Sequence, residues 1–257
     1  MEKMIVWALF DSGNGCYKQA SNEKTEIYSI GMDRENKTDH FLNLDLASYK
    51  YMFGDNSMFE ELNKLPKPDL IIASPPCESW SLASGMGGGN ACWKTDKMEN
   101  LFGTMKGSTF TVRDYNDYEG YQFIPERQIL TRLNGELCIY NTIKIIKEYK
   151  PKFWIIENPA HGKIWEYIEN ILGFKIYHEN MAYYYNYGFD IKKPTKFASN
   201  LFLGLDKKTR DIKSNWESVS GYNERSNIPL PLIEEIYKKV YKNVESLRFL
   251  EREGKDI

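Results

Sequence analysis

Short apolar runs at residues 4–10, 26–32, 40–44, 70–73 and 153–156 are separated by stretches long enough to hold helices, and this alternation constrains the fold more than any other feature. Strands that alternate with helices need crossover connections, so the pattern predicts an α/β domain around a mostly parallel sheet. A chain of 257 residues suits one such domain with an elaboration and can bury a sizeable core. The clearest helix is expected over 136–149, where Leu137, Ile139, Tyr140, Ile143, Ile145 and Ile146 recur at roughly helical period and Lys150-Pro151 follows. A second long helix is expected over 231–249, with a proline in its first turn. Residues 174–185 and 201–205 are expected to supply a last pair of strands.

Two of the runs end in residues that carry chemistry. Asp69-Leu70-Ile71-Ile72-Ala73 leads into Ser74-Pro75-Pro76-Cys77. A double proline continues neither helix nor sheet, so Cys77 is held on a stiff loop at a strand mouth, the place where open α/β sheets put their ligands. The run 153–156 leads into Glu157-Asn158-Pro159, which sets a carboxylate facing the thiol across one crevice. After the first run comes Phe10-Asp11-Ser12-Gly13-Asn14-Gly15-Cys16, where close glycines let backbone approach a ligand and a following helix would offer its amides to an anion. Asp33 ends the second run, suited to a ribose, and Asp45 ends the third.

The pairing of Pro76-Cys77 with Glu157-Asn158, in this order and spacing, resembles the C5-cytosine DNA methyltransferases, whose Pro-Cys loop follows the fourth strand and whose Glu-Asn pair follows the fifth. The resemblance runs from residue 4 to about 240 and is closest to the short forms often carried by phages. It implies a class I S-adenosylmethionine-dependent methyltransferase fold, Rossmann-like, with a seven-stranded mostly parallel sheet and flanking helices. It also implies S-adenosylmethionine as cofactor, held by Phe10, Ser12, Gly13 and Gly15 at the methionine end, Asp33 at the ribose, Asp45 at the adenine with Arg34 and Leu46 flanking it, and Ser226 in a returning terminal segment. Cys77 would add to carbon 6 of a flipped cytosine and Glu157 would protonate ring nitrogen 3, with Pro76, Asn158, Lys193, Thr195 and Lys196 touching the base or its phosphate. DNA is the implied partner, in a bacterial or phage-infected cytoplasm; a restriction endonuclease partner and a homodimer are both left open.

Several features depart from that pattern. Glu157 is followed by Asn-Pro where Asn-Val is commoner. The segment 187–196 carries Lys192, Lys193 and Lys196 where the family has an arginine-containing strand, and lysines lack the guanidinium fork. Residues 225–229 match the family's terminal Asn-containing segment in part, with Ser226 at the asparagine place. Residues 198–224 are too few for a recognition domain with its own core. The aromatic stretch 85–131, which shows neither helical nor strand period, is therefore the expected target-recognition insertion, with Lys94, Lys97, Lys106 and Arg113 available for phosphate.

Other classes are weighed against this reading. Amino-group methyltransferases place a stacking aromatic after their Pro-Pro, where this chain has Cys77. A catalytically silent binder or anti-defence protein of the same fold would not need both Cys77 and Glu157, and the same chemistry on RNA or a free nucleotide is a further alternative. Lys and Arg number 34 against 36 Asp and Glu, so nucleic acid must be met by a local patch. Lys207, Lys208, Arg210 and Lys213 with Trp216 form one candidate patch. His40, His161 and His178 lack metal-ligand spacing, and the cysteines Cys16, Cys77, Cys92 and Cys138 have no Cys-x-x-Cys spacing, so no metal is assigned and free thiols are expected. No run is long and apolar enough to span a membrane.

Overall fold

A computed structural model describes residues 2–12, 14–32, 39–81, 91–99, 106–117, 124–209, 214 and 227–254. Seven strands form one sheet: β1 (Met4–Leu9), β2 (Thr25–Gly31), β3 (Phe41–Asn43), β4 (Leu70–Ala73), β7 (Phe153–Pro159), β8 (His178–Tyr183) and β9 (Pro194–Ser199). Their spatial order is β3-β2-β1-β4-β7-β9-β8. The first five in that order run parallel, and β9 is antiparallel to both its neighbours. This is a Rossmann-like α/β fold, a mostly parallel sheet with helices on both faces. The chain builds outward from β1 to β3, then returns to the other side of β1 with β4, so the carboxyl ends of β1 and β4 flank the switch point where such sheets bind ligands.

The central strands are buried on both faces, which is why they read as continuous apolar runs rather than alternating ones. Met4, Val6, Ala8, Leu70 and Ile72 point to one layer, built largely from α1 (Cys16–Gln19) and α5 (Leu230–Arg252). Trp7, Leu9, Ile71 and Ala73 point to the other, built from α2 (Ser57–Leu62), α3 (Pro125–Tyr149) and α4 (Ile164–Glu166), which runs on into a wider helical turn, Tyr167–Ile171. Helix α5 buries Leu232, Ile233, Ile236, Tyr237, Val240 and Val244 at intervals of three and four, one stripe against the sheet. Each fully buried Leu, Ile or Val contributes about 1.5–3 kcal/mol by leaving water.

The sequence expectations need three corrections. The segment 85–131 holds regular structure: β5 (Trp93–Glu99) and β6 (Lys106–Val112) form an antiparallel ribbon, and α3 begins at Pro125, eleven residues before its apolar period becomes visible. The last strand is Pro194–Ser199 rather than 201–205, so Thr195 and Lys196 lie in an interior strand and Lys193 just before it. Glu157 and Asn158 lie inside β7, paired with Phe197 and Lys196 of β9, not beyond its end.

Candidate active site

The cysteine loop leaves β4 and is tied down from both sides. Asn158 Nδ2 donates to the Pro75 carbonyl at 2.8 Å, joining β7 to the double proline. The Cys77 carbonyl accepts the amides of Trp80 and Ser81, which turns the chain back at once. Trp80 is fully buried, and the amide of Lys163 donates to its carbonyl at 2.8 Å. Trp80 also stacks on Trp93 of β5, and Trp93 on Phe110 of β6, so the ribbon and the cysteine loop share one aromatic pile. Gly135 of α3 is where the loop crosses the helix: a methyl group there would lie 2.1 Å from Ser79 Oγ. Only hydrogen fits at that crossing. Cys77 itself is half-buried, its thiol held above the ordinary range by desolvation and by the Glu157 charge, with Lys193 acting in the opposite direction.

Glu157 is 7% exposed. Alternation along β7 puts Ile155 and Glu157 on the α1/α5 face and Asn158 on the other. Its Oε1 accepts a hydrogen bond from Tyr184 Oη at 3.2 Å, and Ser74 also bonds the carboxylate. Ser74 Oγ lies 2.6 Å from Tyr17 Oη, so the tyrosine donates to the serine when the serine donates to the acid. Tyr17 is anchored in turn through its carbonyl, which accepts from Tyr237 Oη at 3.2 Å. Burial raises the Glu157 pKa, which favours the protonated acid, while Lys193, Ser74 and Tyr184 favour the anion.

Lys193 precedes β9 with φ 25°, in the left-handed region that side-chain-bearing residues rarely occupy. Its ammonium lies 4.7 Å from the centre of the Tyr184 ring, and its carbonyl accepts from the fully buried Thr195 hydroxyl at 3.2 Å. Desolvation lowers the Lys193 pKa; the charges of Glu157, Cys77 and Cys16 oppose that shift. Cys77, Glu157, Lys193 and Thr195 are thus brought together. Lys196 is not: its ammonium pairs with Glu179 at 2.7 Å and sits over the Trp165 ring on the opposite face of β9.

The glycine turn after β1 differs from its expectation. Phe10 has φ 64°, which opens the turn, and half-buried Ser12 accepts the Gly15 amide through its carbonyl at 2.9 Å. The amides of Tyr17 and Lys18 at the start of α1 are taken by the carboxylate of Asp11, which also accepts from Ser29 Oγ at 2.8 Å. Asp11 is 4% exposed and its pKa is raised by burial to about 6. Gly15 makes room for it, because a methyl group there would lie 1.8 Å from Asp11 Oδ1. Helix α1 therefore binds an internal anion, not an external one.

At the end of β3 the Asp45 carboxylate is exposed and accepts the amide of Ala47 at 2.9 Å, while Leu46 is buried in the core beneath it. The loop is pinned from α3 by Asn141, whose Nδ2 donates to the carbonyls of Leu46 and Ser48 and whose Oδ1 accepts from Tyr51. Gly13, Asp33, Arg34 and Ser226 lie outside the described residues, as do residues 82–90, 100–105 and 118–123 of the insertion. Lys94 pairs with Asp117, and Arg113 bonds the carbonyls of Ala91 and Asp117, so these two cations brace the ribbon base. Of the second basic cluster, Arg210, Lys213 and Trp216 lie outside the described residues. Sequence reasoning missed Asp11, Ser74, Asn141 and Tyr184. Asp11 and Ser74 sat in plain view inside the motifs, whereas nothing in sequence separates Tyr184 from its tyrosine neighbours.

Among the described residues, no group of three or more His, Cys, Asp or Glu is arranged to hold a metal ion, and no helix is long and apolar enough to cross a membrane. No family profile matches the sequence, and no curated protein matches it. Among solved structures, the chain is similar to a proposed DNA modification methyltransferase encoded within an E. coli prophage, at 14% identity and a TM-score of 0.43. The alignment covers 82% of this chain and 52% of that one, so the chain spans about half the length of the structure it matches.

Proposed function

We propose that this protein methylates carbon 5 of cytosine in DNA through a covalent adduct with Cys77. The observation that carries the proposal is the meeting of Cys77, buried Glu157 and Lys193 in one electrostatic cluster at the carboxyl ends of β4 and β7. Cytosine carbon 5 is a weak nucleophile. Addition of the Cys77 thiolate to carbon 6, with Glu157 protonating nitrogen 3, makes carbon 5 an enamine carbon able to take up a methyl group. Loss of the carbon-5 proton to water, return of the nitrogen-3 proton to Glu157 and departure of Cys77 as thiolate restore the ring. A duplex base reaches such a pocket by leaving the stack.

S-adenosylmethionine, when bound, supplies an electrophilic methyl group. The described part of its cradle fits: β1, β2 and β3 end side by side, and Asp45 presents an exposed, turn-fixed carboxylate beside buried Leu46. Phe10, Ser12 and Asp45 would hold it, together with Gly13, Asp33, Arg34 and Ser226. The α1 amides would not take part, being occupied by Asp11.

With DNA containing 5-fluorocytosine and S-adenosylmethionine, the protein is expected to form a stable covalent complex, because fluorine does not leave as a proton does. Cys77→Ala is expected to abolish it, read on a denaturing gel. Full turnover by Cys77→Ala would overturn the mechanism.

The β5–β6 ribbon is proposed as the recognition element. A two-stranded ribbon fits a major groove, and the shared aromatic pile fixes this one to the cysteine loop. Replacing residues 98–107 with Asn-Gly removes the far end of the ribbon and spares Trp93 and Phe110. This variant is expected to keep cofactor affinity and lose site preference, read by bisulfite sequencing of a methylated plasmid. Unchanged preference would exclude the ribbon.

A further inference from the structure

Tyr184 is fully buried, and its one side chain meets an acid, a cation and the Thr195 hydroxyl. Its hydroxyl donates to Glu157 Oε1 at 3.2 Å, and its ring face lies 4.7 Å from the Lys193 ammonium. Phe189 packs edge-on against the same ring with centroids 5.8 Å apart, which fixes the plane that both contacts depend on. Lys193 is aimed at the ring by a backbone turned into the left-handed region, and Thr195 holds the Lys193 carbonyl in that turn. Strain of this kind persists only where surrounding structure imposes it. A phenol that bonds an acid through its hydroxyl and a cation through its ring face joins groups that otherwise lie on different strands.

We propose that Tyr184 is a positioning residue that ties Glu157 of β7 to Lys193 just before β9, so that the carboxyl and the ammonium act on each other as one electrostatic unit at the site where the target base is protonated. The inference rests on the carbon-5 reading and names the residue that sets the state of its acid. Groups facing Glu157 come from every neighbouring element: Cys16 and Tyr17 on α1, Ser74 and Cys77 after β4, Tyr184 after β8 and Lys193 before β9. Among the described residues that act on Glu157, Lys193 is the cation, and its charge favours the carboxylate. Two titrating groups coupled this closely respond as a pair rather than singly. The bond from Tyr184 stabilises the carboxylate, and its removal leaves Glu157 protonated to higher pH.

Tyr184→Phe removes the hydroxyl and keeps the ring beneath Lys193. In single-turnover methylation, the descending limb of the pH–rate profile is expected to move up by about one pH unit in this variant, the scale of one lost hydrogen bond to a charge. Lys193→Met is expected to move the same limb in the same direction and to slow the reaction near neutral pH, since Cys77 loses its nearby cation. A readout independent of cofactor and DNA is the pH dependence of Cys77 alkylation by iodoacetamide, followed by mass spectrometry of the Cys77 peptide. The alkylation profile is expected to move to lower pH in Tyr184→Phe, because the carboxylate that opposes the thiolate loses a bond favouring its charge, and to higher pH in Lys193→Met, where the thiolate loses its nearby cation. Unmoved alkylation profiles in both variants would overturn the tie. Absence of a 5-fluorocytosine adduct in the wild type, with the alkylation profiles shifted as stated, would overturn the carbon-5 reading and leave the tie standing.

Discussion

Asp11 and Glu157 are both buried carboxylates at the carboxyl end of the same sheet, and both have raised pKa values because burial disfavours their charge. Their partners differ in kind. Asp11 is hydrogen-bonded by two backbone amides and a serine, fixed groups that do not titrate, and Lys18, Cys16 and Tyr237 act on it only through charge. Glu157 is held by the hydroxyls of Tyr184 and Ser74 and faces an ammonium and a thiol. One carboxylate staples a turn through backbone amides; the other is bonded by side-chain hydroxyls beside a thiol. Burial and a raised pKa therefore do not by themselves mark a catalytic acid, and the chemistry of the surrounding donors separates the two.

The comparison is sharpest if the two acids are neutralised separately. Glu157→Gln is expected to slow methyl transfer by about 10²–10⁴-fold, the usual contribution of a general acid, while leaving S-adenosylmethionine affinity and the thermal midpoint nearly unchanged. Stopped-flow methylation with calorimetric cofactor titration checks this, and a variant of normal rate would remove Glu157 from the mechanism.

Asp11 should show itself in stability instead. Its carboxyl stays protonated in the fold up to about pH 6, whereas in the unfolded chain it ionises near 3.8. The folded state thus binds the extra proton, and the stability this gives is full below about pH 4, declines as pH rises through 4 to 6, and is gone above. The loss amounts to about 3 kcal/mol. Urea unfolding between pH 4 and 7.5 is expected to show that fall in the wild type and a flatter profile in Asp11→Asn, whose amide carries no charge at any pH. Parallel profiles would break the contrast between the two acids.

The same contrast explains what the sequence disclosed. Strands β1, β2, β4 and β7 are buried on both faces and announce themselves as apolar runs, and prolines beside a thiol mark a strand mouth wherever they occur. Strand β9 begins with a proline and carries Thr195 and Lys196, polar residues that hide a central strand until their partners Glu179, Trp165 and Lys193 are seen. The first half of α3 went unseen because Ile129, Leu130 and Leu133 are exposed there and give no amphipathic stripe. Cys77 and Glu157 were readable as motif residues. Tyr184 was not, because Tyr183, Tyr184 and Tyr185 are alike in one dimension and only the turn after β8 selects which of them meets Glu157.

Gly135 gives α3 a further property. The helix is 25 residues long and has one position where the cysteine loop can cross it, so that crossing acts as a gauge of rotation and translation for the whole rod. A slip of one residue would swing Asn134 or Glu136 into a gap that admits a single hydrogen atom, and the loop bearing Cys77 would be displaced with it. The place of Cys77 is thereby indexed to a helix that also, through Asn141, grips the loop beside Asp45. One rigid part sets the spacing between the two halves of the site, as a ruler does between two marks.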